Sequence, residues 1–311
     1  MSWVFLTAGR AYKFKKPVRA DFLDYSTLSA RETCCREEVR LNRRLAPSIY
    51  LEAIPIRMDE HGGLAIDGPA GGAIVEWLVV MRRLPAERML DRAIRDGTLC
   101  MAELGAVLDY LFDFYVAAEP VDLDVDRKIS ILRAQLEGNA KVLRDPLCRL
   151  PAETVDDVLD ALRGVVSARP HWFLEPFETR RIIEGHGDLR PEHVCLATPP
   201  AIIDCLEFNR DLRLLDPFEE LCFLALECRQ LGADDIAAHI VDRYSDRTGI
   251  RPSRALLNFY TAHRATIRAR LALSHLYDKG PVDTVKWLAK GQAYIEVAHA
   301  AVLSLSRPEG R

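Results

Sequence analysis

The stretch His186-Gly187-Asp188-Leu189-Arg190-Pro191-Glu192-His193 is followed, nine residues later, by Ile202-Ile203-Asp204. Asp188 and Asp204 thus stand sixteen positions apart, each just past a short apolar run. That placement suits a hairpin carrying both acids on one rim. Phosphoryl transfer needs such a pair. One carboxylate orients the attacking hydroxyl and takes its proton, while the other holds a divalent cation on the nucleotide phosphates. The plain alternative is that both are turn residues after strands.

The rest of the chain must position these acids. Residues 3–6 and 11–18 read as strands about a turn at Ala8-Gly9-Arg10. In the second strand, Ala11, Lys13 and Lys15 share one face and Tyr12 and Phe14 the other. Residues 29–45 read as a helix with Ser29 as cap and Glu32 at the capping-box position. Residues 49–57 and 64–67 read as strands. Residues 74–81 (IVEWLVVM) are apolar on both faces and so predict a central strand. From residue 84 the periodicity is helical over 102–118, 128–143 and 155–168. Short apolar runs at 181–183 and 201–203 interrupt it, and helices resume over 216–231, 235–248, 253–277 and 282–305. The change of pattern divides the chain into lobes at 1–83 and 84–311.

Composition excludes several classes. Of 311 residues 49% are apolar and 28% charged, which fits a folded globular chain. The net charge of −4 gives no drive toward nucleic acid or anionic membrane. No apolar run approaches a bilayer span and no signal peptide precedes residue 10, so a cytoplasmic protein without membrane or nucleic-acid partners is expected. The eight cysteines form no C-x-x-C pair and read as reduced thiols, not a zinc site.

Protein kinases place their catalytic loop in the order H-R-D-x-x-x-x-N. Here His-Gly-Asp is followed by four residues and His193. The segment resembles the catalytic loop of the aminoglycoside phosphotransferase-like family, and more closely a bacterial subgroup of uncharacterised kinases within it. Residues 4–18 (VFLTAGRAYKFKKPV), 38–51, 79–84 (VVMRRL), 185–196 (GHGDLRPEHVCL) and 202–226 carry the likeness, in order, through most of the chain.

The resemblance implies an α+β, bilobal protein-kinase-like fold, with a small β-rich N-lobe bearing one helix and a larger, mainly helical C-lobe. It implies transfer of the γ-phosphoryl group of ATP to a hydroxyl of a small molecule, with Mg²⁺ or Mn²⁺. Lys15 would contact the nucleotide phosphates, with Lys13 as its alternative. Glu38, or Glu37, would be the helix partner. The backbone of the stretch from Glu76 through Val79 to Met81 would form the lobe-connecting hinge and meet the adenine. Asp188 would orient the hydroxyl, Arg190 would reach the transferring phosphate, and Asp204 would hold metal. His186 and Asp216, the latter opening a DP-x-x-E-L stretch, would support the catalytic loop.

Two departures stand against this pattern. His193 occupies the place of the family's asparagine, the second metal ligand. It binds a softer metal, or bonds Asp188 or a phosphate instead, or leaves the ligand role to Glu192 or Glu207. No G-x-G-x-x-G phosphate loop is present. Both departures admit a second reading, a nucleotide-binding pseudokinase with a regulatory or scaffolding role. For the acceptor, Tyr260, Arg264 and Arg268 share a helix face that would favour an anion, whereas Glu207 and its acidic neighbours would favour a cation. A salt-bridged face explains those arginines equally well.

Overall fold

The computed structural model describes residues 2–20, 23–68, 72–168, 172, 175–176, 179, 181–278 and 280–305. Alternation in the first strands sets up a five-stranded antiparallel sheet. Its strands are β1 (Ser2–Leu6), β2 (Arg10–Lys15), β5 (Tyr50–Met58), β6 (Leu64–Ile66) and β7 (Ala73–Arg82), in the order β1-β2-β7-β5-β6. Two-residue strands β3 (Arg19–Ala20) and β4 (Leu23–Asp24) pair separately. The doubly apolar β7 is central, as its pattern predicts, and Trp77, Leu78 and Val79 are buried. Burial of each such side chain contributes roughly 1.5–3 kcal/mol.

Helix α1 (Leu28–Asn42) covers the sheet. Its cap is Thr27, whose hydroxyl accepts from the Ala30 amide at 3.1 Å; Ser29 lies inside the first turn, one residue past the start. Cys35 and Val39 of α1 pack with Ala11, Tyr50, Trp77, Val79 and Met81, and this core also takes in Cys195 and Ala201. Those two belong to β9 (Val194–Cys195) and β10 (Ala201–Ile202), which pair as Ala201↔Cys195 and Ile202↔Val194. The segment carrying both acids therefore folds onto the sheet's own core. The hairpin is real, but its strands are β9 and β10; β8 (Ile183–Glu184), the run before His186, is not one of them.

The chain accordingly divides into Met1–Ala118 with Glu184–Leu214, and Glu119–Ile183 with Leu215–Arg311. The change of pattern at 83/84 marks the end of β7, whereas the first unit also contains α2 (Leu90–Arg95), α3 (Met101–Ala117) and both acid-bearing loops. In the second unit are α4 (Val125–Leu143), α5 (Ala152–Ala168), α6 (Pro217–Gln230), α7 (Asp234–Thr248), α8 (Arg254–Ser274) and α9 (Thr284–Leu303). Helix α8 packs against α4, α6 and α9. Every residue of α6 from 217 to 228 is buried, three glutamates included.

Candidate active site

The alternation of β2 points Lys13 and Lys15 at one carboxylate. Lys13 Nζ lies 2.8 Å from Glu38 Oε1, and Lys15 Nζ bonds Oε2 of the same side chain. Glu38 is fully buried, as are Leu41 and Leu45 three and seven residues on, while Glu37 turns outward to Arg40 and Arg213. Beyond Glu38 the two lysines diverge. Lys13 is 12% exposed and also bonds Asp204; Lys15 is 1% exposed and bonds Glu207, whose carboxylate also accepts from the Tyr25 hydroxyl. Burial alone would lower both ammonium groups, but the carboxylates around them hold both above the usual lysine value. Burial likewise would raise the Asp204 carboxyl, yet Lys13 beside it holds it well below the usual carboxylate range. Glu207 follows the same logic, with Lys15 dominant.

The loop at residues 186–193 is built around two histidines. The His186 ring is buried: its Nδ1 accepts from the Asp188 amide at 3.2 Å, so its Nε2 donates to the Ile203 carbonyl at 2.8 Å. One imidazole thus ties the Asp188 loop to the Asp204 segment. Gly187 between them has φ +86, and a Cβ there would meet Arg213, Leu206 and the Leu212 carbonyl at 3.1–3.3 Å. The His193 ring lies between the two acids, with Nδ1 3.9 Å from Asp188 Oδ2 and Nε2 3.5 Å from Asp204 Oδ2. Arg190 only donates, and its Nη2 sits 3.0 Å from His193 Nε2. Nε2 is therefore the acceptor and Nδ1–H donates to the Asp188 carbonyl at 2.8 Å. Arg190 also bonds Asp188 Oδ2 at 3.1 Å and Glu192.

Asp204 adopts φ +63, a left-handed conformation that costs of order 1–3 kcal/mol and persists where surroundings enforce it. The Tyr50 hydroxyl accepts from its amide at 3.0 Å, and Asn42 Oδ1 accepts from the Cys205 amide at 2.9 Å. Neither Tyr50 nor Asn42 was singled out by sequence, though Asn42 lies one helical turn past Glu38 and extends its buried face. Tyr25 and the buried Arg213, which bonds Glu184 at 2.7 Å and the Leu206 carbonyl at 2.9 Å, carry no comparable signal.

Several expected placements are corrected. The backbone of Glu76, Val79 and Met81 expected at the hinge is inside the sheet ladder, Val79 opposite both Lys13 and Ala53. The Glu76 side chain is paired with Arg31 at 2.8 Å. The chain leaves the ladder after Arg82. On α8, Arg264 meets Glu219 at 2.8 Å, Arg268 meets Glu227 at 2.8 Å, and the buried Tyr260 hydroxyl donates to Asp216 at 3.3 Å. They share a face, as their spacing predicts, but that face neutralises the buried acids of α6. Lys128 completes the Glu219 pair at 3.1 Å. Glu207 is equally withdrawn. Asp216 caps α6 through the Phe218 amide at 3.0 Å and accepts from Arg181 at 3.2 Å; burial raises its carboxyl against the pull of Arg181.

Asp204 and His193 fit a divalent cation only once Lys13 and Arg190 give up their contacts to Asp204 and to His193 Nε2. Among the described residues no three His, Cys, Asp or Glu side chains cluster to cage a metal. Two donors with phosphate and water completing the shell is the habit of nucleotide-bound cations. Asp204 Oδ2 and His193 Nε2, 3.5 Å apart, have the separation that neighbouring ligands of one small ion take.

No protein-family model matches this chain. Uncharacterised protein Rv2004c of Mycobacterium tuberculosis is 31% identical over 306 residues, 96% of this chain, and its counterpart in Mycobacterium bovis matches equally. The chain spans 59% of these relatives' length. Among solved structures, the GDP complex of an aminoglycoside 2'-phosphotransferase-IIIa mutant superposes with TM-score 0.54 at 17% identity, covering 96% of this chain and 88% of that one. The apo form of a thermostable aminoglycoside phosphotransferase APH(4)-Ia mutant gives 0.55 at 13% identity, over 99% and 92% of the two chains. A ternary complex of a thermostable APH(4)-Ia mutant with AMP-PNP and hygromycin B gives 0.53 at 13% identity, over 96% and 89%. The antiparallel sheet with one helix, the helical second unit and these superpositions together give the chain the α+β, bilobal protein-kinase-like fold of the aminoglycoside phosphotransferases.

Proposed function

We propose that this protein is a phosphotransferase that moves the γ-phosphoryl group of ATP to a hydroxyl of a small molecule. The observation that carries this reading is the convergence of Lys13, Glu38, Asp204, His193 and Asp188 into one chain of contacts. Lys13 is the nucleotide-facing lysine, reversing the preference for Lys15, because it alone of the two reaches Asp204. Glu38 holds its ammonium in place. Asp188 orients the acceptor hydroxyl and takes its proton. Arg190, now folded onto Asp188 and Glu192, has the reach and charge to meet the transferring phosphate. Asp204 and His193 would hold the divalent cation, which when bound neutralises charge on the phosphates. The segment after Arg82 takes over the hinge role.

The acceptor is left as a hydroxyl compound of unassigned charge. The α8 arginines and Glu207 are paired internally and argue for neither an anion nor a cation, and hygromycin B belongs to the neighbour. A pseudokinase is the second reading. It is favoured by Arg190 occupying the His193 Nε2 lone pair and Lys13 occupying Asp204, so that the protein's own cations satisfy the site.

Calorimetric titration with AMP-PNP in Mg²⁺ and then in Mn²⁺ tests both. Saturable, metal-dependent binding lost in Asp204→Ala is expected. An imidazole nitrogen suits Mn²⁺ better than Mg²⁺, so Mn²⁺ should support binding at least as well, and His193→Asn should narrow the gap. A Mg²⁺ preference untouched by that change would remove His193 from the ligand set. Binding without turnover on any hydroxyl compound would leave the pseudokinase.

A further inference from the structure

We infer that Lys15, Glu207 and Tyr25 form a positioning clamp that holds Glu38 and the Asp204 segment, and touch neither nucleotide nor acceptor. This rests on the phosphotransferase reading. Burial separates the two lysines: Lys13 is 12% exposed and its partner Asp204 40%, whereas Lys15 is 1% and Glu207 7% exposed. Tyr25 closes the far side, with its hydroxyl on Glu207 and its ring 5.3 Å from Lys15 Nζ.

Charge explains why the group exists. Glu38 is shared by both lysines, and the other partner of Lys13, Asp204, is 40% exposed. A second buried ammonium on the same carboxylate is tolerated only with a second buried carboxylate, because an uncompensated interior charge is costly. Glu207 supplies it, three residues past Asp204. Its pairing also completes a run of anchors. The Asp204 amide is held by Tyr50, the Cys205 amide by Asn42, the Leu206 amide by the His186 carbonyl at 3.0 Å, and the Glu207 carboxylate by Lys15 and Tyr25. Four consecutive residues are thus fixed, and the left-handed Asp204 backbone is enforced from both sides. Lys15 joins that segment to Glu38, and Glu38 to Lys13. The clamp sets where the Asp204 carboxylate stands without facing the ligand itself.

The test measures AMP-PNP affinity with Mn²⁺ and in chelator, together with Tm, for the full chain and for Lys15→Met, Glu207→Gln, the double variant and Tyr25→Phe. Each single charge variant should lower Mn²⁺-dependent affinity roughly 10–100-fold, the loss typical when a group orienting a metal ligand is removed. Affinity in chelator, carried by Lys13, should stay within about twofold. The double variant should be no weaker than the worse single variant, since both act through one contact. Tyr25→Phe keeps every charge and should show a smaller loss of the same kind, so the clamp is read even where Lys15→Met fails to fold. A Lys15→Met that weakens binding equally with metal and in chelator would make Lys15 a nucleotide contact and overturn the clamp. So would a Glu207→Gln or Tyr25→Phe without effect on the metal-dependent part. A wild-type protein that binds no nucleotide overturns the phosphotransferase reading, and the clamp with it.

Discussion

Asp188 and Asp204 differ in what surrounds them, and their expected behaviour differs accordingly. Asp204 sits against Lys13 and 3.5 Å from His193, where a cation and its nucleotide would be held. Asp188 offers Oδ2 to Arg190, with His193 Nδ1 3.9 Å away, and 30% of its side chain is open. Asp188→Asn removes the proton acceptor but keeps the shape. Its kcat should fall by about 10²–10⁴, the usual worth of a general base, with AMP-PNP affinity unchanged in calorimetry. An equal loss of affinity would place Asp188 among the nucleotide contacts. Both acids were legible in sequence as candidates because short motifs carry them. The choice between Lys13 and Lys15 was not, since period-2 alternation puts both on one face and only the location of Asp204 ranks them.

At the scale of elements, close approach decides which residues a helix tolerates. A Cβ on Gly291 of α9 would stand 2.6–2.8 Å from the buried Leu273 side chain of α8. Gly291→Ala should therefore destabilise the chain despite alanine's better helix propensity, by about 1–3 kcal/mol of overpacking. Adding Leu273→Ala should recover part of that loss relative to Leu273→Ala alone, a coupling that a double-mutant cycle in urea reads directly. Additive losses would mean the helices move apart freely. Strong periodic elements, β7 and α3 to α9, were legible within a few residues. The brief ones were not: β3, β4 and α2 have too few residues for a period, and Thr27 displaced Ser29 as the cap, its hydroxyl accepting from the Ala30 amide.

For the whole molecule, acid stability should be governed by the second unit. His263 is buried, stacked 5.9 Å from Phe259, and among the described residues neither ring nitrogen has a hydrogen-bond partner. Burial pushes its pKa down to about 3, opposed by Glu219 and assisted by Arg264, Lys128 and Arg270. The unfolded chain binds a proton near pH 6.5 that the folded chain refuses. Stability is therefore full above that value and declines as pH falls toward 3. Between pH 7 and 5 this one group should cost about 2 kcal/mol, at about 1.4 kcal/mol per unit. His263→Leu should flatten that part of a Tm-against-pH curve. Glu219, held down to about 2 by Lys128 and Arg264 against its burial, acts only below the ordinary glutamate range and leaves this window clear. An identical slope in the variant would assign the acid limb elsewhere.

The amino-acid sequence alone determined the chemistry on offer and the order in which it is carried: two acids behind short apolar runs, a histidine in place of an amide, lysines on one strand face and a glutamate on one helix face. These are local properties, set by residue type and by periods of 2 and 3.6. Tertiary structure decided partnership. It spread Glu38 across two lysines, sent Lys15 and Glu207 inward, turned Arg264 and Arg268 onto α6, and closed the Glu76–Met81 backbone within the sheet. A charged side chain's spacing says which face it occupies. Which opposite charge it must neutralise depends on what folding buries against that face, and desolvation makes that choice only once the elements have met.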